Sequence, residues 1–134
     1  MSLAVLFAAT VAVFLLLDAV MLTLVLRPLF ERHIADMLRP EIRWGAAAAF
    51  YVAYAGGLVW LAGWPAFKAG APMQAALPAA VIGFMAYGTY EFTNYAVLRG
   101  WHWSMVAVDV TWGMVLSAVS AVAGVAIARW IAGG

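Results

Sequence analysis

No cysteine occurs in this chain of 134 residues, which excludes disulfides, thiolate metal sites and c-type haem attachment and leaves the redox compartment unspecified. Charge is scarce as well: Asp, Glu, Lys and Arg together make up 10% of the residues, for a formal net charge of +1. The few basic residues are scattered rather than gathered on one face, so nucleic acid is excluded as a partner. A serine nucleophile elbow, a phosphate-binding loop and an HExxH helix are all missing, so no cofactor is specified. The Gly56-Gly57 pair has no strand before it and reads as helix packing. Only one connecting segment is long enough for structure of its own, which leaves no room for a second domain, and residues 1–134 are expected to form one unit.

What fills the chain instead is hydrocarbon: 68% of the residues are hydrophobic, in runs far longer than the core helices of a soluble domain. The expected fold class is all-α, a polytopic membrane protein built as a four-transmembrane-helix bundle, with the lipid bilayer as its first partner. Spans are expected at about residues 2–26, 44–67, 75–98 and 102–128, each long enough to cross at 1.5 Å rise per residue. The first run lacks the basic start and the small-residue cleavage site of a signal peptide, so it is expected to remain in the mature protein. On the second span Ala49, Ala53 and Gly57 form a row of small residues that lets a neighbouring backbone come close. Pro65 and Lys68 are expected to close that span.

The charged connection carries Arg27, Glu31, Arg32, Asp36, Arg39, Glu41 and Arg43 between Pro28 and Pro40. Leu29, Phe30, His33, Ile34, Met37 and Leu38 recur there at helical spacing, which predicts a short amphipathic helix over about residues 28–39, lying flat at the interface. An ordinary solvated loop is the competing reading. Arg27, Arg32, Arg39, Arg43 and Arg99 fall on one side, against Lys68 and Arg129 on the other. The positive-inside rule then puts the 27–43 segment and the 99–101 loop in the cytoplasm and both termini outside, in a bacterial inner membrane.

Three acids interrupt the apolar runs, and each costs about 2.5–3.5 kcal/mol at the centre of a span on insertion scales, so each needs partners or a task. Asp18 lies nine residues before Arg27, Glu91 eight before Arg99 and Asp109 eight after Trp101. All three therefore fall at one level, about 12–14 Å inside the boundary. Tyr51 and Tyr54 come to nearly the same depth from the second span. On the third, Gly83, Tyr87, Tyr90, Glu91 and Asn94 share a face; on the fourth, His102, Asp109, Gly113, Ser117 and Ser120 do so. The candidate site for a ligand, proton or cation is thus Asp18, Glu91, Asn94 and Asp109, with Tyr51, Tyr54, Tyr87, Thr93 and Trp112 around them.

Three readings of that layer stand side by side. Three carboxyls so close cannot all be ionised without a cation, so one reading is a purely structural cluster of neutral acids bonded to Asn94, Thr93, Tyr and Trp groups. Another is a polar cavity for protons, a cation or a polar headgroup. In the third the acids face different directions and never meet. An oxygen-only site of Asp18, Glu91, Asn94 and Asp109 has the chemistry for Mg²⁺, Ca²⁺ or Mn²⁺, although the spacing specifies no metal; His33 and His102 sit at the rim and read as interfacial.

Leu17-Asp18-Ala19, Tyr90-Glu91-Phe92-Thr93-Asn94, Leu98-Arg99-Gly100-Trp101 and Asp109-Val110-Thr111-Trp112-Gly113 together resemble the bacterial predicted membrane proteins of the domain of unknown function 2177 family. The resemblance covers nearly the whole chain. It implies a four-helix inner-membrane protein and no established activity, with Asp18, Glu91, Asn94, Asp109 and Trp112 as the signature. The family pattern has an Asp at the place of Glu91 and a Trp at the place of Met21, so this chain carries a longer acid on its third helix. Three functions follow as expectations: small-molecule or proton/cation transport or binding, a membrane-embedded lipid-modifying enzyme, or an accessory subunit of a homo-oligomer or larger membrane complex.

Overall fold

The computed structural model describes residues 2–133, and these are helical almost throughout. Four long helices follow one another: α1 Ser2–Met37, α2 Trp44–Ala69, α3 Ala76–Val97 and α4 Trp103–Ile131. Among the described residues α1, α2 and α4 are long and apolar enough to cross a membrane. α3, at 22 residues, carries Tyr, Thr, Glu and Asn and does not reach that apolarity.

α4 is the axis of the molecule. Both α1 and α3 run antiparallel to it, as the contacts Thr10 to Gly124 and Leu29 to Met105 show for α1 and Gly83 to Ser117 and Glu91 to Asp109 show for α3. α2 runs parallel to α4, with Tyr54 against Ser117 and the Phe67 carbonyl accepting from Arg129 Nη1 at 2.9 Å. The outward faces carry Leu16, Leu24, Trp60, Leu77, Met85 and Trp130, all exposed. Lipid is as apolar as these side chains, so what holds the bundle is close packing and internal hydrogen bonds.

Glycines on α3 and α4 make that packing possible. A Cβ at Gly113 would stand 2.2 Å from the Tyr87 ring, one at Gly83 2.3 Å from the Gly113 carbonyl oxygen, and one at Gly124 2.2 Å from Thr10 Oγ1. Only hydrogen fits at these crossings. The expected small-residue row on α2 has no such role: Ala49 and Ala53 are exposed, and a Cβ at Gly57 would meet nothing within 4 Å.

Two prolines sit inside continuous helices, which corrects the sequence reading: Pro28 starts no new helix and Pro65 does not close the second span. Pro28 and Pro65 each follow a π-helical turn, Leu22–Leu26 and Val59–Gly63, in which Arg27 N–H bonds to Leu22 O and Trp64 N–H bonds to Val59 O. A wider turn relieves the clash between a proline ring and the preceding carbonyls, so the backbone stays helical through it. α2 instead ends at Gly70, whose left-handed φ of 69° turns the chain.

The segment from Arg27 to Ile34 continues the helix of α1 and does not start a new one. At 1.5 Å per residue, the 36 residues of α1 span about 54 Å, longer than a hydrocarbon core of about 30 Å. The extension is not bare. Leu29 and Ile34 bury themselves with Trp101, Met105, Val106 and Val110, closing one end of the bundle. A larger apolar core, including Leu6, Phe14, Leu58, Leu116 and Val125, closes the other.

Candidate functional site

Between those two apolar seals lie the three acids. α1 buries one residue per turn, Leu6, Thr10, Phe14 and Asp18, so the seam that carries Phe14 into the core also carries the carboxylate inward. Asp18 is 3% exposed, Glu91 0% and Asp109 6%. Helix geometry thus places all three at the interior, and their partners decide what each can do.

Glu91 accepts a hydrogen bond at Oε1 from the indole N–H of Trp101, at 3.0 Å. Its Oε2 is buried with no N–H or hydroxyl donor. The Asp109 carboxyl, across the α3 to α4 contact, lies within hydrogen-bonding reach of Glu91. Two carboxyl groups brought close away from water disfavour double ionisation. The contact of α3 with α4 thus sets two buried acids beside each other.

Asp18 makes a separate set of bonds. Its Oδ1 accepts from Trp112 Nε1–H at 3.1 Å, and the Tyr51 hydroxyl is within hydrogen-bonding reach. Its charge bears on Asp109, which makes the two acids neighbours without putting them in one shell. Among the described residues no group of three or more His, Asp or Glu side chains gathers closely enough to hold a metal ion. The set Asp18, Glu91, Asn94 and Asp109 is thus split, a carboxyl pair on one side and a single acid held by a tryptophan and a tyrosine on the other.

Aromatic side chains wall the site. Phe14 sits between Tyr51 and Tyr54, with centroids 5.7 and 5.6 Å away. The Tyr87 ring meets Tyr54 edge-on at 6.3 Å and fills the notch above Gly113. Tyr54 OH and Ser117 Oγ are hydrogen-bonded at 2.7 Å, the next polar contact along α4. Ser120 Oγ, one turn further, is buried with no partner among the described residues.

Two members of the expected site stand apart from it. Thr93 is on the exposed face of α3, and its hydroxyl bonds back to the carbonyl of Thr89. A threonine in a helix satisfies itself in this way whenever no partner faces it. Asn94 is half-buried, and among the described residues its side chain makes no hydrogen bond. Trp101, which marked only the start of the fourth span in the sequence, is turned inward by the fold. Gly100, at φ 80°, makes the sharp turn that folds its indole back over Glu91. The signal was present in the Arg99-Gly100-Trp101 order, since a glycine turn directly after a helix can return the next side chain toward that helix's last turns.

A bundle with Leu, Val, Phe and Trp facing outward, and with carboxyl, phenol and indole groups turned inward onto one another, is an integral membrane protein. Residues 3–126 match the family described as predicted membrane protein (DUF2177), and the chain belongs to that family. No curated protein and no solved structure matches it.

Proposed function

We propose that this chain is a four-span protein of the bacterial inner membrane, a single unit whose Glu91 and Asp109 pair binds and releases a proton in the transport of a small molecule or cation. The observation that carries the reading is the Glu91 carboxyl itself: fully buried, held at one oxygen by Trp101, and facing a second carboxyl with which it can share a proton. A purely structural polar contact needs no second ionisable group at that spot. Asp18, Tyr51, Tyr87 and Trp112 complete the polar layer, and the divided acids favour a proton over a multivalent cation.

In this reading α3 is the fourth span: Tyr87 and Glu91 face α4, and the exposed Thr89 and Thr93 bond their hydroxyls to carbonyls of their own helix. The basic residues at 27–43 and at Arg99 put that end in the cytoplasm and both termini outside. The test is reconstitution into liposomes with a pH-sensitive dye inside. The wild type dissipates an imposed pH gradient, and Glu91→Gln and Asp109→Asn stop it. Flux unchanged by both substitutions, or no flux from the wild type, ends the reading.

The uncovered small face of α2 favours a second reading, a protein that works as a homo-oligomer or as a subunit of a larger complex. Gly45, Gly56 and Gly57 leave open space where a neighbour's backbone could approach. Disulfide trapping through Ala49→Cys, in a chain with no cysteine of its own, reports a second copy there; a monomer under all conditions speaks against it.

A further inference from the structure

The two histidines that read as rim residues are in contact. His33, on the extension of α1, and His102, which caps α4, stack with ring centroids 4.3 Å apart and planes 9° from parallel. His102 Nδ1 accepts from the Ser104 N–H at 3.1 Å and also contacts Ser104 Oγ at 2.8 Å. An acceptor nitrogen is an unprotonated one, so the cap needs the Nδ1 of His102 free of a proton.

That stack is one end of a short chain of contacts to the buried acids. A Cβ at Gly100 would lie 3.2 Å from the His33 carbonyl oxygen, so the turn is seated directly on α1. Phe30, one turn before His33, meets Trp101 edge-on at 5.5 Å, and Tyr90 meets the other side of the same indole at 5.7 Å. Trp101 in turn donates to Glu91. His33, Gly100, Trp101 and Glu91 thus form a continuous route from the charged end of the molecule to the carboxyl pair.

We propose that the stacked His33 and His102 form an acid-sensitive latch: protonation of the stack releases the turn at residues 98–102 and lifts Trp101 from Glu91, opening the carboxyl pair to the cytoplasm. The latch rests on the reading of Glu91 and Asp109 as the proton site, and it supplies that site's regulation. Two imidazolium rings face to face repel, and the Ser104 N–H loses its acceptor when Nδ1 takes a proton. The groups that bear on His33 are His102 across the stack and Arg32 on its own helix, both basic. Arg99, in the turn, adds positive charge. On the far side of the Trp101 indole, Glu91 accepts its N–H and Asp109 neighbours Glu91. Partial burial, then His102 and Arg32, lower the His33 pKa from 6.5, so the closed latch is stable above that pH and weakens as pH falls.

The test uses the full chain in lipid, spin-labelled through Asp36→Cys and Arg99→Cys, with electron–electron distance measurement at about pH 7.5 and about pH 5, on either side of the imidazole range. In the wild-type background a longer distance is expected to grow roughly tenfold in population on acidification, the change that one additional bound proton produces per pH unit. The Trp101 indole N–H resonance, assigned by its loss in Trp101→Phe, shifts over the same range. His33→Phe keeps a ring in the stack that cannot titrate, and both changes disappear; His33→Asn, at a half-exposed site, serves if the larger ring disturbs folding. A wild type unchanged between the two pH values, or both variants responding as the wild type does, overturns the latch. Neither readout involves flux, so an opening latch in a protein that moves no protons would sink the transport reading and leave the latch standing.

Discussion

The indole of Trp101 donates its N–H to Glu91 Oε1 at 3.0 Å, reaching back across the turn that joins α3 to α4. The bond pins the connection turned by Gly100, and it satisfies one oxygen of a carboxyl whose other oxygen has no N–H donor among the described residues. Trp101→Phe preserves most of the apolar contact with Phe30 and Tyr90 and removes the donor. The expected loss is about 1–3 kcal/mol, that of a buried acceptor left unmet. Thermal unfolding in detergent shows it as a lower Tm. Trp103→Phe, at an exposed position two residues on, is expected to stay within about 0.5 kcal/mol. Equal melting of the two variants would show that the bond carries no stability.

The glycines predict opposite signs at two sites. At Gly113 an added Cβ would stand 2.2 Å from Tyr87 Cγ, so either that ring leaves its place beside Tyr54 or α3 and α4 separate. Gly113→Ala is expected to destabilise by about 1–3 kcal/mol, the range for overpacking a close contact. Gly57→Ala meets nothing, and alanine favours a helix over glycine by about 0.5–1 kcal/mol, so that variant is expected to be neutral or slightly stabilised. Melting temperatures of the pair decide it: a Gly113→Ala protein as stable as Gly57→Ala means the helices are not in this register.

Much of this architecture was legible because depth and face both follow from helical spacing. Counting from Arg27, Arg99 and Trp101 placed Asp18, Glu91 and Asp109 at one level, and all three are buried. The small-residue row Ala49, Ala53 and Gly57 misled, because its spacing states that a close approach is possible and not that a neighbour is there; Gly83, Gly113 and Gly124, in more polar surroundings, are where the backbones meet. Pro28 read as a helix start because a proline removes an N–H, and the π-turn that absorbs the loss leaves no mark in sequence. Trp101 stood outside the candidate site because tryptophans at span ends usually face the interface, and the φ of Gly100 turns it inward. Thr93 read as part of the site because it lies close to Glu91 in sequence, but two residues along a helix is a rotation of about 200°, onto the opposite face.

Tyr54 and Ser117 supply a third prediction, on coupling. Their 2.7 Å bond ties α2 to α4, two helices whose other polar tie is Arg129 Nη1 to the Phe67 carbonyl. Tyr54→Phe strands the Ser117 hydroxyl in the core, and Ser117→Ala strands the phenol. Each single change is expected to lower stability by about 1–3 kcal/mol, whereas the double change, which strands neither, loses less than the sum. A cycle of the four proteins should give an interaction energy of about 0.5–3 kcal/mol. Strict additivity would mean that the hydroxyls are separately solvated and that the polar layer ends at Tyr87.

The stability of the charged end should depend on pH in a direction fixed by His33. Its pKa lies below the ordinary 6.5 because partial burial, the His102 ring and the Arg32 charge all disfavour the imidazolium. The unfolded chain therefore takes up a proton at higher pH than the folded one, and folding becomes less favourable as pH falls through 6.5. Above that value both forms are neutral and the contribution is constant. The wild type is expected to melt progressively lower from about pH 7 to about pH 5, within the range where histidine titrates. The carboxyls inside the bundle also respond to pH, so the informative quantity is the difference between the wild type and His33→Phe, in which those carboxyls are common to both proteins and cancel. That difference should be flat above 6.5 and should move against the wild type below it. A difference that stays constant across the whole range would mean that His33 titrates alike in the folded and unfolded chain, and that its stacking on His102 carries no charge penalty.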